Sequence, residues 1–336
     1  MRTTATRAGR HRGTTLVAAA LLTVVSGCSG GPDGSAGSEG FTTNLQLGTG
    51  STGGVYYPLG QEYSGIFVDT ADVDGLAVTA VETGASVENL AKIARGELQL
   101  AIAQHNTAND AVNGRGDFEG MAVENVGFLG KLYPEAAQII TLESTGIESV
   151  GDLRGKTVAI GPPGGGTREV AEQILSAYGL EEGSYTPLEE GFGDAKTKLQ
   201  DGNADASIEI LGVPASSLQE LQASTGEVKL IPIDTEQLDT VVGNSQFEQY
   251  EIPAGTYDFI DEPVPTVSVF AAMYASTTQV DEELGYELTK ALYEQADSLT
   301  LAQKELIDLE EATLGQGDVP LHPGAQKYFQ EQGLLD

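Results

Sequence analysis

The sequence predicts an α/β protein built as two similar lobes. Three observations carry this. A strand, glycine-rich loop and helix start near residue 45 recur about 113 positions later. A helix end, glycine and strand near residue 92 recur about 106 positions later. Both pairs come in the same order along the chain, as two copies of one βα pattern would. At 336 residues, with 40% hydrophobic and 20% charged side chains, the chain is long enough for two cores and is globular in composition.

The first unit opens with Leu45-Gln46-Leu47, an apolar-polar alternation that reads as a strand. It runs into GTGSTGG at 48–54 and then an apolar-periodic helix over 55–67, where Pro58 is tolerable only in the first turn. The copy has Thr157-Val158-Ala159-Ile160 as strand and GPPGGGT at 161–167 as loop. Val170, Ala171, Ile174, Leu175 and Tyr178 follow at helical spacing, with Gly179 as the stop. The second pair is KIARGELQLAI at 92–102 and KLQDGNADASI at 198–208. A further strand is expected over 76–81, and late helices near 282–299 and 301–311. The crossovers assign residues 41–141 plus 263–336 to lobe 1 and 142–262 to lobe 2, with 142–146 as the first hinge and 263–270 as the return.

Charge narrows the partners. Seventeen Lys and Arg against fifty Asp and Glu give a net charge of −33, which repels phosphate backbones and anionic membrane surfaces and excludes nucleic-acid binding. One Cys and three His leave no intramolecular disulfide and no reason to expect a metal site or cofactor. His105 and His322 are the two His beyond the leader; no Ser/His/Asp arrangement can be argued from them, and no catalytic residue is expected.

The first residues read as an export signal. Arg2, Arg7, Arg10 and Arg12 precede a short apolar run at 15–25, too short for a spanning helix. The run ends in Val25-Ser26-Gly27-Cys28, which resembles a bacterial lipobox. Residues 1–27 are then a lipoprotein signal peptide and Cys28 the lipidated terminus. Residues 28–40, rich in Gly, Ser and Pro, form a flexible tether at the outer face of the cytoplasmic membrane.

Each glycine loop delivers the chain to a helix start. There the first backbone N–H groups lack partners and carry the positive end of the helix dipole. Two such mouths, one per lobe, suggest an anion gripped between lobes. Gly48, Gly50 and Gly53 also satisfy GxGxxG, and Asp69 lies at dinucleotide-binding distance. That reading is set aside: Asp69 leads out of the helix rather than ending a second strand.

Five blocks resemble the TAXI-type solute-binding proteins of TRAP transporters. They are LQLGTGSTGGVYYPLG at 45–60, VETGASVENLAKIARGELQLAIAQ at 81–104, GIESVGDLRGKTVAIGPPGGGT at 146–167, LGVPA at 211–215 and VPLHPGAQKYFQEQGLL at 319–335. The resemblance implies a type II periplasmic-binding-protein fold, with two α/β lobes joined by hinge strands around a ligand cleft. It implies a small organic acid or amino acid ligand, glutamate-like in several members, delivered by a monomer to TRAP membrane subunits. Two positions depart from the family pattern: Gly165 stands where a Ser is usual, and Asn106 where an Asp is usual.

The expected ligand residues are Ser51, Thr52 and Gly53 at the first loop tip, with Tyr56 or Tyr57 covering the ligand. Ser86 is expected chiefly as an N-cap at the cleft. Gln104 ends a strand at the carboxyl edge, where ligands of open α/β sheets lie. Gly164, Gly165, Gly166 and Thr167 are expected to hold a carboxylate. Arg168 either adds a cation there or pairs with Glu172. Glu209 is a candidate for an α-amino group, and Val213 lies in a cleft-lining turn. A lipoprotein feeding a sensor kinase, or the binding protein of an ATP-driven importer, are the alternative roles.

Overall fold

The computed structural model describes residues 40–243 and 246–335, all within the compact unit Glu39–Asp336. Cys28, the signal segment and most of the tether lie outside the described residues.

The first strands are β1 (Asn44–Gly48), β2 (Ala77–Val81) and β3 (Leu100–Gln104), with helices α1 (Tyr56–Thr70) and α2 (Ser86–Ala94) between them and α3 (His105–Asn113) after them. Next come β4 (Val126–Leu142), β5 (Thr157–Ala159), α4 (Thr167–Ala177), β6 (Thr186–Leu188), α5 (Phe192–Gln200) and β7 (Ala206–Gly212). The chain continues through α6 (Ser216–Thr225), β8 (Val228–Leu230), α7 (Thr235–Gly243), β9 (Glu248–Ile252) and β10 (Val264–Ser276). It ends with α8 (Glu282–Glu294) and α9 (Pro323–Glu331).

One ten-stranded sheet orders these strands β2-β1-β3-β10-β4-β7-β5-β6, with β8 on β4 and β9 on β10. Its two halves repeat. β2-β1-β3 are parallel and end on antiparallel β10; β6-β5-β7 are parallel and end on antiparallel β4. The internal echo in the sequence is therefore a structural one. β4 and β10 pair along much of their length and tie the halves together. At about 3.3 Å per residue, the 17 residues of β4 extend roughly 55 Å, enough to serve both. Nearly all of β4 is buried, as expected of a strand covered on both faces.

The cores divide accordingly. Leu45, Leu47, Leu59, Phe67, Leu288 and Phe329 belong to one cluster, under α1, α8 and α9. Ile139, Val158, Ile174, Ile208 and Val267 belong to another, under α4 and α7. Two loops are held rigidly. Buried Asn89 donates to the carbonyls of Thr49 and Ile102 at 2.7 and 2.9 Å and accepts from the Thr83 hydroxyl at 2.7 Å. This pins the first glycine loop to α2 and β3. The second loop turns through Gly161 and Gly164 at φ +90° and +81°, a region that favours glycine.

The last expected helix is not one. Residues 301–311 form two short 3₁₀ turns, Ala302–Leu306 and Leu309–Glu311. Their contacts, not local propensity, set the path: the Gln303 amide donates to the Pro214 carbonyl at 3.0 Å, and the Lys131 N–H donates to Ala312 at 2.8 Å. The helix expected to 299 stops at Glu294 before a 3₁₀ turn, Ala296–Ser298.

Candidate functional site

The carboxyl ends of β1, β3 and β7 and the start of the loop after β5 meet at one cavity between the halves. The volume open to water inside it is about 30 Å³, well below that of a small-molecule site, so the halves must part to admit a solute. The first half contributes Gly50, Ser51, Gly54, Val55, Tyr56, Ala85, Ser86 and Gln104; the second contributes Pro162, Gly165, Gly166, Thr167, Phe192, Ile210 and Leu211; Glu135 comes from the shared strand β4.

Five helices begin at this wall. Val55, Ala85, Gln104, Gly166 and Gly191 precede α1 to α5, and none of them caps its helix with a side-chain hydrogen bond. Each start carries roughly half a positive charge on its first backbone N–H groups, and on α2 one of these, the Glu88 N–H, is taken by the Gly164 carbonyl. Two polar atoms on the wall lack a protein partner: Ser51 Oγ and Gln104 Oε1. Gln104 is 3% exposed, so its orphaned oxygen is costly unless something in the cavity satisfies it.

One carboxyl faces these amides. Glu135 is 2% exposed and accepts from the Tyr56 hydroxyl at 2.8 Å, with a second hydrogen bond from Gln104. Burial pushes its pKa up to about 8, against the lowering effect of those two bonds. Burial likewise pushes the Tyr56 hydroxyl well above its usual range. Phe192, Ile210, Leu211 and Val55 make the apolar part of the wall.

Of the expected ligand residues, Ser51, Tyr56, Ser86, Gln104, Gly165, Gly166 and Thr167 are brought together here. The others are not. Thr52 and Gly53 line a neighbouring crevice with Gly193 and Pro214. Gly164 packs on α2, its carbonyl accepting from the Glu88 N–H at 3.0 Å. Arg168 turns outward and pairs with Glu172 at 2.8 Å and Glu189 at 3.2 Å; a first-turn side chain whose carbons are solvated takes the nearest carboxylates. Glu209 is buried away from the cavity, bonded to Ser207 at 3.0 Å, and burial pushes it up to about 8. Val213 is buried and does not line the cavity. Ser86 is the first residue of α2, not its cap; its hydroxyl accepts from the Gln104 N–H at 3.0 Å and so holds the strand end in place. Tyr57 does not reach the wall.

Sequence reasoning missed Glu135, Phe192, Ile210 and Leu211. A signal for the first existed: LYPEAAQII sets one acid in an otherwise apolar run. Both departures from the TAXI pattern gain a physical reason. At Gly165 a Cβ would sit 3.0 Å from the Gly84 carbonyl, leaving little room for Ser. Asn106 donates to Glu169 across the cleft at 3.0 Å, where an Asp would meet a like charge. A wider crevice is lined by Asp110, Glu169 and Asp318, with Arg115 among them.

Residues 47–333 match the NMT1-like family. The chain belongs to that family. Among solved structures, a protein of Bordetella bronchiseptica RB50 is similar at 18% identity and TM-score 0.52, over 86% of this chain and 82% of that one. The periplasmic aliphatic sulphonate binding protein SsuA from Escherichia coli gives 17%, TM-score 0.45, and 85% and 82%. A putative L-cystine ABC transporter protein from Listeria monocytogenes gives 16%, TM-score 0.47, and 80% and 98%. At these identities the likeness is one of fold: the α/β fold of periplasmic binding proteins. Among the described residues, no helix is long and apolar enough to cross a membrane, and no group of His, Cys, Asp and Glu is placed to hold a metal ion.

Proposed function

We propose that this NMT1-like chain is a solute receptor that captures a small amino acid or carboxylate between its two halves and delivers it to a membrane importer. One observation carries the reading: helix starts from opposite halves, led by Val55-Tyr56 and Gly166-Thr167, line one cavity with uncapped amides. Ser51, Thr167 and the amides at the start of α4 hold the carboxylate; Gln104 and Glu135 face the rest of the solute. Lobe 1 comprises about 41–141 and 263–336, and lobe 2 about 142–262. The pivot lies within β4 and β10, where pairing passes from one half to the other, rather than at 142–146.

Two carriers are open to such a receptor. The sulphonate and cystine proteins above are named for ABC transport, which favours an ATP-driven importer. The five TAXI-like blocks favour an ion-driven TRAP carrier. Uptake into vesicles holding the receptor and its cognate permease separates them: collapse of the ion gradient stops one, ATP depletion the other. Anchoring through Cys28 is tested by Cys28→Ala, which should release the protein from membranes. The receptor itself is tested by calorimetric titration with the twenty amino acids and the C4–C6 dicarboxylates. One-to-one binding without chemical change of the solute is expected; chemical turnover, or no binding across the panel, would refute it.

A further inference from the structure

Glu135 is a carboxyl without a cation. Among the described residues it takes part in no ion pair. Its strand neighbour Lys131, four residues earlier, is committed to Glu311 and lies over the Phe270 ring at 5.1 Å. The residues opposite it in the sheet are Val269 on β10 and Gly212 on β7, neither of them titratable. From α1 and from the end of β3 it meets Tyr56 and Gln104, both uncharged donors, and from its own strand it feels Tyr133. A carboxyl so enclosed favours its neutral form until a cation arrives.

The rest of the wall offers the two ends of a zwitterion different partners. Uncapped amides of α1 and α4 suit a carboxylate. Beside Glu135, Gln104 Oε1 is buried, unpartnered and turned toward Gly166, where a Cβ would sit 2.1 Å away. An unpartnered carbonyl oxygen next to a carboxyl is an acceptor pair, and an ammonium group brings three N–H donors to fill it. An amine-free acid brings none.

We propose that Glu135 is protonated while the site holds no solute and surrenders that proton when a solute's ammonium group settles beside it, so that the receptor selects amines that also carry a carboxylate. The carboxylic O–H proton leaves to bulk water, the carboxylate stays, and the solute keeps all three ammonium protons. The inference rests on reading this cavity as the solute site.

Calorimetric titration of the purified protein with L-glutamate and with glutarate, its amine-free counterpart, tests it. Two buffers of different ionisation enthalpy at each pH from 6 to 8 count the protons. L-Glutamate should release nearly one proton at pH 6.5 and about half of one at pH 8, and bind about tenfold more weakly for each pH unit below 8. Glutarate should bind at least tenfold more weakly than L-glutamate at pH 8. Glu135→Gln should abolish the release and flatten the pH dependence. Tyr56→Phe, which keeps the acid but removes a donor that favours its ionised form, should move the midpoint upward. Glu209→Gln should leave both unchanged.

Equal affinity for the two solutes with no proton released would overturn the inference and leave the receptor reading intact. So would proton release that persists in Glu135→Gln. If the whole amino-acid and dicarboxylate panel fails to bind, the receptor reading falls and takes this inference with it.

Discussion

At the scale of residues, the site depends on a few side chains whose neighbours decide their chemistry. Asn106 is one. Its amide donates across the cleft to Glu169, whose pKa burial and the charge of Asp110 push up to about 7. Asn106→Asp would replace that donor with an acid. Below pH 7 Glu169 is protonated and can donate instead, so the closed cleft survives; above it, two carboxylates repel. We expect solute affinity of Asn106→Asp to match the parent's near pH 6 and to lie about tenfold below the parent's at pH 8, read by titration of both proteins. The same scale shows what the sequence could tell. Ser51, Gly166 and Thr167 were legible because a glycine-rich run before a periodic helix announces backbone amides that need a ligand. Glu135 was not, because its role comes from what surrounds it: Tyr56 lies 79 positions away in the chain, and no local pattern reports that meeting. Of the two roles the sequence offered Arg168, the pairing with Glu172 holds, because an i,i+4 partner on the same helix face is a local pattern; Glu189, from a distant loop, adds to it.

At the scale of elements, closure is written into close backbone approaches. A Cβ on Gly84 would lie 2.4 Å from the Pro163 carbonyl, which belongs to the opposite half. A Cβ on Gly166 would lie 2.1 Å from Gln104 Oε1. Neither glycine has a positive φ, so alanine is tolerated by the backbone itself. Gly84→Ala should therefore weaken solute binding at least tenfold while leaving the melting temperature of the solute-free protein within a degree or two, measured by titration and calorimetry on the same preparation. A core change should do the reverse. Ile174, fully buried where α4 packs on its sheet, should cost about 2–5 kcal/mol as Ile174→Ala, seen in denaturant unfolding. The βα units were readable because their strands and helices have distinct periods and glycine punctuates them. Residues 301–311 were not, because Gln303 and Ala312 are held by β4 and by the Pro214 turn, contacts that override local helical spacing.

At the scale of the whole molecule, the two-lobed plan was legible in the repeated order of units, whereas the sharing of β4 and β10 between halves was not: a long apolar strand carries no mark of where its partner changes. The buried acids also set a pH profile. Glu135 and Glu209 both have pKa values pushed up to about 8, against an ordinary value near 4.3. The folded protein thus holds more protons than the unfolded one between about 4.3 and 8, and stability falls as pH rises through that window. His105 works in the opposite sense. Burial pushes it down to about 4, its Nδ1 accepts from the Phe270 N–H at 3.0 Å, and the stability of that neutral ring is lost as pH falls from about 6.5 toward 4. With two such acids against one His, the acids decide the sign: melting temperatures should fall steadily as pH rises from about 5 to 8, and Glu209→Gln should flatten that fall.

The proposed receptor requires one motion, a bending of β4 and β10 that shuts the cavity around its solute. Small-angle X-ray scattering of the purified protein, alone and with a saturating solute from the calorimetric panel, measures it directly. We expect the radius of gyration to fall on binding, and to fall less in Gly84→Ala. Superimposable curves with the solute bound one-to-one would contradict a receptor that works by closing.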